Sequence, residues 1–336
     1  MSSAPTPDEV ARDATWLAQA LDPNAGMVRL VAMGRDSYRA ASFLDDRLMQ
    51  QPVDAQLVAW PDVAAAVEGD LRTDARWIFH IGHVGSTLVS RLLGELHGVL
   101  AVREPRLLRD VALCPPAMRQ GYLGPIPKLM SRTFADDEVA CVKATSFASE
   151  IAPGLVGAGE RALFMFASPR NYVASILAGE NSVKELHALA AHRAQRLQSR
   201  GVTLAAARHD ADRAAAAWAC EMATLEAAAE DMTGRHVAWV DFDAMLRNMS
   251  AELGSVASFF GFDADPGKLD ALARGPLMTR YSKDPNYEYS ANLREQLIAQ
   301  EIRFQGADVD AALAMLGSAA EKSALLARAL GRTGGN

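Results

Sequence analysis

The sequence predicts an α/β fold with a mostly parallel central sheet flanked by helices and interrupted by a helical hairpin insertion. Two observations carry this expectation. From Arg76 to Phe262, short runs rich in β-branched and aromatic residues alternate with segments whose apolar residues recur at helical spacing. Between them, Lys184 to Asp231 is almost continuously rich in Ala, Arg and Gln and is broken at Ser199-Arg200-Gly201. Strands separated by helices need crossover connections, and crossovers make parallel neighbours.

Residues 1–75 read as an N-terminal extension packed on the core. Asp8 to Leu21 carries apolar residues at helical spacing, Met27 to Met33 alternates as a strand does, and Asp36 to Met49 is again helical. None of these segments suggests chemistry. Trp77 to Ile81 (WIFHI) opens the core, followed by a Gly-containing turn and a helix over Thr87 to Leu96, in which Leu88, Leu92, Leu93 and Leu96 share one face. Gly98 stops that helix. Val99 to Val102, Glu138 to Lys143, Ala162 to Ala167 and Val237 to Val240 supply four further strands. The Ala162 run enters Ser168-Pro169, an N-cap followed by proline at the first helical position. Ser250 to Phe260 is an amphipathic helix ended by Gly261. In the hairpin, the second arm with Trp218, Met222 and Leu225 packs on the sheet. The polar first arm is a lid or a solvated face, the latter being the usual fate of a charge-rich helix. The core thus runs from 76 to 265 with the insertion at 184–231, and 266–336 adds a C-terminal loop and helices to one compact unit.

The chain has 336 residues, half of them hydrophobic, enough for a sizeable core. Its 34 Lys and Arg stand against 41 Asp and Glu, giving −7, which argues against a general nucleic-acid binder while leaving room for a local basic pocket. Cys114, Cys141 and Cys220 are far apart and form no C-x-x-C pair, so buried thiols in a reducing cytosol are expected and no structural zinc site. His187, His192, His209 and His236 offer no metal-ligand spacing and read as surface or packing residues. No uncharged apolar run approaches the ~18 residues of a membrane span, so a cytoplasmic protein without membrane or nucleic-acid partners is expected. Oligomeric state is not legible.

The most informative segment is Phe79-His80-Ile81-Gly82-His83-Val84-Gly85-Ser86-Thr87-Leu88. A strand that ends in a Gly-containing loop and turns straight into a helix gathers unpaired backbone N–H groups and hydroxyls around a small anion, of which phosphate is the default. The alternative is a tight turn in which Ser86 and Thr87 act as caps. The G-x-x-x-x-G-K-[ST] pattern of nucleotide P-loops is absent. His80-Ile81-Gly82-His83 also spells the HIGH signature of class I aminoacyl-tRNA synthetases, faintly echoed by Tyr281-Ser282-Lys283. Such enzymes are usually longer and need a tRNA-binding surface that this acidic chain does not offer.

Three segments together resemble sulfotransferases that use 3′-phosphoadenosine 5′-phosphosulfate (PAPS), here of a bacterial type. Gly85-Ser86-Thr87-Leu88 with Ser90-Arg91-Leu92-Leu93 is similar to the family's 5′-phosphosulfate loop. Phe164 to Ser175 is similar to its strand-turn-helix for the 3′-phosphate, and Asp241 to Leu246 followed by Phe259-Phe260-Gly261-Phe262 to its closing motif. The resemblance covers roughly Arg76 to Phe262 and implies a P-loop sulfotransferase-like core, PAPS as co-substrate, a small-molecule acceptor and no metal. Two positions depart from the pattern: the loop's Lys or Arg falls on His83 with its Ser on Val84, and the strand-end Arg falls on Ala167.

On this resemblance Gly82, His83, Gly85, Ser86, Thr87 and Leu88 hold the phosphosulfate, while Arg170, Asn171, Ser175 and the late-loop Arg280 hold the 3′-phosphate. Glu104, just after the second core strand, takes the place of the general base. Protonated His83 could replace the missing lysine at the bridging oxygen, since adjacent phosphates favour its charged form; as a neutral imidazole it could act as base instead, or simply cap the turn. Lys143, at a strand end on the sheet's ligand-binding edge, could serve phosphate or acceptor, a solvated strand end being the bland alternative. The leading expectation is a sulfotransferase. A kinase-like phosphotransferase and a non-catalytic nucleotide sensor on a decayed transferase fold are its rivals.

Overall fold

The computed structural model describes residues 4–279 and 290–334, and eight strands in two sheets are found among them. β1 (Trp16–Asp22), β2 (Met27–Ala32) and β3 (Ala55–Ala59) form an antiparallel sheet in that order. β4 (Arg76–His80), β5 (Val99–Arg103), β6 (Val139–Lys143), β7 (Arg161–Phe166) and β8 (His236–Asp241) form a second sheet ordered β5-β6-β4-β7-β8, parallel throughout. Helices cover the second sheet, so its strands are buried on both faces and read as unbroken apolar runs. Trp77, Ile78 and Phe79 of β4 and Leu163, Phe164 and Met165 of β7 have no exposed surface. Aromatic rings continue the packing across the strands: Phe79 meets Phe164 edge-on at 5.7 Å, and Phe164 meets Trp239 at 5.0 Å.

The strand order places the loop after β4 at the centre of the sheet's carboxyl edge. From β4 the chain crosses to β5 and β6 on one side, then returns to β7 and β8 on the other. A crevice opens at the carboxyl end of the strand where the winding reverses, which here is β4. The β5–β6 register sets Arg103 beside Lys143, so Glu104 emerges next to the end of β6.

The helices follow from local chemistry. Ser168 accepts a hydrogen bond from the Asn171 N–H and Pro169 begins the helix Pro169–Leu177, as its sequence implies. Gly261, at φ 75°, closes Met249–Phe260. The hairpin comprises Glu180–Ser199 and Asp210–Asp231; Trp218, fully buried, donates its indole N–H to the Ala167 carbonyl and so seats the second arm on the end of β7. A long helix, Ala291–Ala320, lies across Pro169–Leu177 and Asp210–Asp231 and departs from helical geometry at Gln305.

Two N-terminal expectations are corrected. Asp8 to Leu21 is a one-turn helix, Pro7–Arg12, followed by β1. Thr6 and Glu9 form a reciprocal cap on that helix, but from Trp16 onward pairing with β2 decides the conformation, because it buries Leu17, Ala18, Ala20 and Leu21. Asp36 to Met49 is helical over Arg35–Ala40 and resumes as a 3₁₀ turn at Asp46–Gln50. The interruption has a distant cause: the buried Arg103 guanidinium donates to the carbonyls of Tyr38, Arg39 and Ala41, acceptors that a continuing helix would need for itself.

The first hairpin arm is solvated on its outer face only. Its inner face buries Leu186, Leu197 and two arginines, Arg193 and Arg196, the latter bonded to Glu150, Glu221 and Thr224. All three cysteines are buried, and burial pushes the Cys141 and Cys220 thiols up to about 12. No helix among the described residues is long and apolar enough to cross a membrane.

Candidate functional site

The loop between β4 and the helix Ser86–Leu93 winds through three left-handed residues, Gly82 (φ 82°), His83 (φ 55°) and Gly85 (φ 61°). Left-handed residues in a turn can gather backbone N–H groups into an anion-binding concavity. Gly85 precedes the helix without any side-chain cap, so the first-turn N–H groups remain for a ligand. Ser86 and Thr87 are buried there, and among the described residues neither hydroxyl makes a hydrogen bond. That uncapped turn with two buried hydroxyls fits an anion better than it fits a self-capped turn.

The rest of the loop is structural. The Gly82 N–H donates to Nδ1 of His80 at 3.0 Å and is thereby committed. Val84, standing at the family's Ser, is fully buried in the core. Leu88 is half-buried. Gly85 cannot carry a side chain, because a Cβ there would lie 1.9 Å from the ring of Phe242, the first residue beyond β8. The His83 ring stands edge-on to Tyr172 at 6.3 Å.

Glu104 follows β5 with φ 55°, and its N–H donates to the Lys143 carbonyl at 2.7 Å. Among the described residues, His83 and Glu104 are the two non-glycine positions with positive φ. Each costs about 1–2 kcal/mol for an L-residue, and strain of this kind collects at functional sites. Around the Glu104 carboxylate, Oε1 pairs with the Lys143 ammonium, which is 1% exposed, and lies 3.7 Å from Nε2 of His80. Oε2 lies 3.8 Å from Nη2 of Arg47. Burial pushes this carboxyl up, but Lys143 and then His80 outweigh burial and hold it well below the usual carboxylate range. The site therefore presents a charged carboxylate and a cation side by side, next to His80, the last residue of β4 before the loop.

The 3′-phosphate residues of the sequence reading lie together on Pro169–Leu177, yet each is engaged internally. Arg170 pairs with Asp310 at 2.6 Å, Asn171 donates to Asp243 at 2.8 Å, and the Ser175 hydroxyl donates to the Tyr172 carbonyl. Asp243 also pairs with Arg294 at 2.5 Å. Ala167, where the family carries Arg, is fully buried beneath Trp218. Arg280 lies outside the described residues. Of the residues that the sequence reading assigns to anions, Ser86 and Thr87 are thus the ones whose hydroxyls make no hydrogen bond among the described residues. No group of three or more His, Cys, Asp or Glu side chains among the described residues could hold a metal ion.

No family model matches this sequence, and no curated protein does. Among solved structures, a sulfotransferase domain from the curacin biosynthetic pathway is similar at 11% identity, over 70% of this chain and 99% of that chain, with a TM-score of 0.44.

Sequence reasoning missed His80, Arg47 and Phe43. Arg47 lies over the Phe43 ring, with its guanidinium carbon 3.3 Å from the centroid, and Lys143 Nζ lies 5.5 Å from the same ring. This segment reaches the site because Leu44 N–H bonds the Arg103 carbonyl and Arg103 grips the chain before it. No local pattern announces that contact. A cavity of about 670 Å³ lies elsewhere, along the outer edge of β5 between Arg35–Ala40 and Leu96–Ala101. Two of its arginines are neutralised at its wall, Arg35 by Glu138 and Arg39 by Glu95.

Proposed function

We propose that this protein is a sulfotransferase that moves a sulfuryl group from PAPS to a hydroxyl or amine of a small acceptor. The observation that carries the reading is the pairing of an uncapped, Gly-shaped anion loop after β4 with a strained, ionised Glu104 at the neighbouring strand end. The order of the three family-like segments supports it.

In this reading the N–H groups and hydroxyls at Ser86 and Thr87 hold the donor's 5′ phosphosulfate, and His83 in its charged form stands by the bridging oxygen. The acceptor oxygen or nitrogen attacks sulfur in line. Its proton passes to Glu104, the S–O bond to the 5′-phosphate breaks, and the electron pair leaves with 3′-phosphoadenosine 5′-phosphate (PAP). A carboxylate held by Lys143 is a weak base. Its proton affinity rises once Lys143 turns from Glu104 to the sulfuryl oxygens, so donor binding activates the base. The ordering follows from the Lys143–Glu104 pair itself.

A second reading, a nucleotide sensor without turnover, draws on the internal engagement of Arg170, Asn171 and Ser175. Calorimetry with PAP in the presence of EDTA tests the donor site, and sulfuryl transfer from PAPS across a panel of phenols and amines tests catalysis. Metal-free micromolar PAP binding with transfer supports the enzyme, and binding without transfer supports the sensor. Preference for ATP with magnesium would point to a phosphotransferase instead.

A further inference from the structure

The geometry points to Arg47 as the residue that recognises the acceptor, and to an acceptor whose reacting hydroxyl or amine stands close to an anionic group such as a carboxylate. The inference rests on Glu104 taking the acceptor's proton, as proposed above. The two oxygens of Glu104 are not equivalent. Oε1 is turned inward to Lys143 and His80, whereas among the described residues Oε2 makes no hydrogen bond and faces Arg47 at 3.8 Å. That separation is too long for a direct hydrogen bond. A hydroxyl oxygen at about 2.8 Å from both Oε2 and Nη2 closes a triangle on it. The acceptor therefore enters between these two side chains.

Arg47 is built to meet it. Asp45 occupies its Nε and Nη2 edge at 2.8 Å and 2.5 Å, and the buried Phe43 ring supports one face of the guanidinium at 3.3 Å, so the side chain is fixed before any ligand arrives. Its Nη1 edge makes no hydrogen bond among the described residues. Arg47 is also the outermost of the charged groups, with its side chain 48% exposed against 15% for Glu104 and 1% for Lys143. An acceptor carboxylate arriving beside Glu104 and the donor's phosphates needs a cation to offset their repulsion. Lys143, 1% exposed, is taken up by Glu104 or by the donor's sulfuryl oxygens, and Arg47 stands at the rim with a free edge suited to a carboxylate.

The test compares 3-hydroxybenzoate with the neutral 3-hydroxybenzamide as acceptors for PAPS, in the full chain and in Arg47→Gln and Arg47→Lys, with PAP affinity measured alongside. The wild type is expected to favour the carboxylate at least tenfold in kcat/KM. Arg47→Gln should bring the ratio near one by raising KM for the carboxylate, with PAP affinity unchanged, and Arg47→Lys should retain part of the preference. If Arg47→Gln loses PAP affinity through misfolding, the lysine variant carries the comparison. A wild-type ratio near one, a ratio that survives Arg47→Gln, or reaction of neither phenol by an enzyme that binds PAP overturns the inference while leaving the donor site intact. Failure of the wild type to bind PAP overturns the donor reading, and this assignment falls with it.

Discussion

Replacing Lys143 by methionine removes a charge while keeping much of the side chain's length, and so probes the ion pair at the centre of the site. Lys143 is 1% exposed and its partner Glu104 15%. Deleting one member of a buried pair costs about 3–5 kcal/mol, because the survivor is a buried charge without its counter-ion. At about 2–4 °C per kcal/mol, Lys143→Met should melt roughly 6–20 °C lower at pH 7. The pH dependence gives the sharper signature. In the wild type, burial pushes Glu104 up, but Lys143 and His80 hold it below the usual range. A depressed folded pKa contributes stability above the unfolded pKa and loses it only as pH falls further, so this group leaves wild-type stability level between pH 7 and 5. In Lys143→Met, burial, the largest single influence on this carboxyl, is opposed by His80 alone and should raise it past its unfolded value. The folded state then binds a proton more readily than the unfolded chain, and the variant gains stability from pH 7 to 5. Melting by circular dichroism at pH 5, 6, 7 and 8 reads both effects, and the Glu104→Gln/Lys143→Met double variant should be more stable than the two single losses added together. A single variant that melts within about 2 °C of wild type at pH 7, or that runs parallel to it across the pH series, refutes the reasoning.

Gly85→Ala should abolish PAP binding and destabilise the chain well beyond the cost of a left-handed alanine, because its Cβ would enter the Phe242 ring. Gly82→Ala, with open space around it, should cost about 1–2 kcal/mol, and equal losses in the two variants by denaturant titration would contradict the packing argument. Arg196→Met leaves Glu221, which is 1% exposed, with Arg193 at 3.7 Å as its remaining cation, and should loosen the first hairpin arm, seen as faster proteolysis between Ser199 and Asp210. An unchanged cleavage rate would count against a seam of buried charge. Asp243→Ala leaves the Arg294 guanidinium, 6% exposed, without its carboxylate and should speed amide exchange in the first turns of Ala291–Ala320 while β4 and β7 stay protected.

The core was legible because fully buried parallel strands must be apolar along their whole length, which WIFHI and ALFMFA display. Ser168-Pro169 and Gly261 were equally readable, since a cap is a local contract between side chain and backbone. The N-terminal region was not. β1 owes its conformation to β2, and the helix over Arg35–Ala40 is cut short by Arg103, far along the chain. The site divides in the same way. The anion loop lies in one stretch of sequence and shows in its glycines and hydroxyls. The surroundings of Glu104 come from three strand ends and a distant N-terminal turn, so His80, Phe43 and Arg47 carried no local signal. Nor does residue type disclose that His83 and Glu104 adopt left-handed backbone, which follows from what the strand ends must do to turn.

A crystal structure of the protein with bound PAP tests the central claim most directly. The account predicts the 5′-phosphate against the N–H groups and hydroxyls at Gly85, Ser86 and Thr87, with Glu104 across an open gap on the acceptor side. Nucleotide seated elsewhere, for example in the cavity along the outer edge of β5, would contradict it.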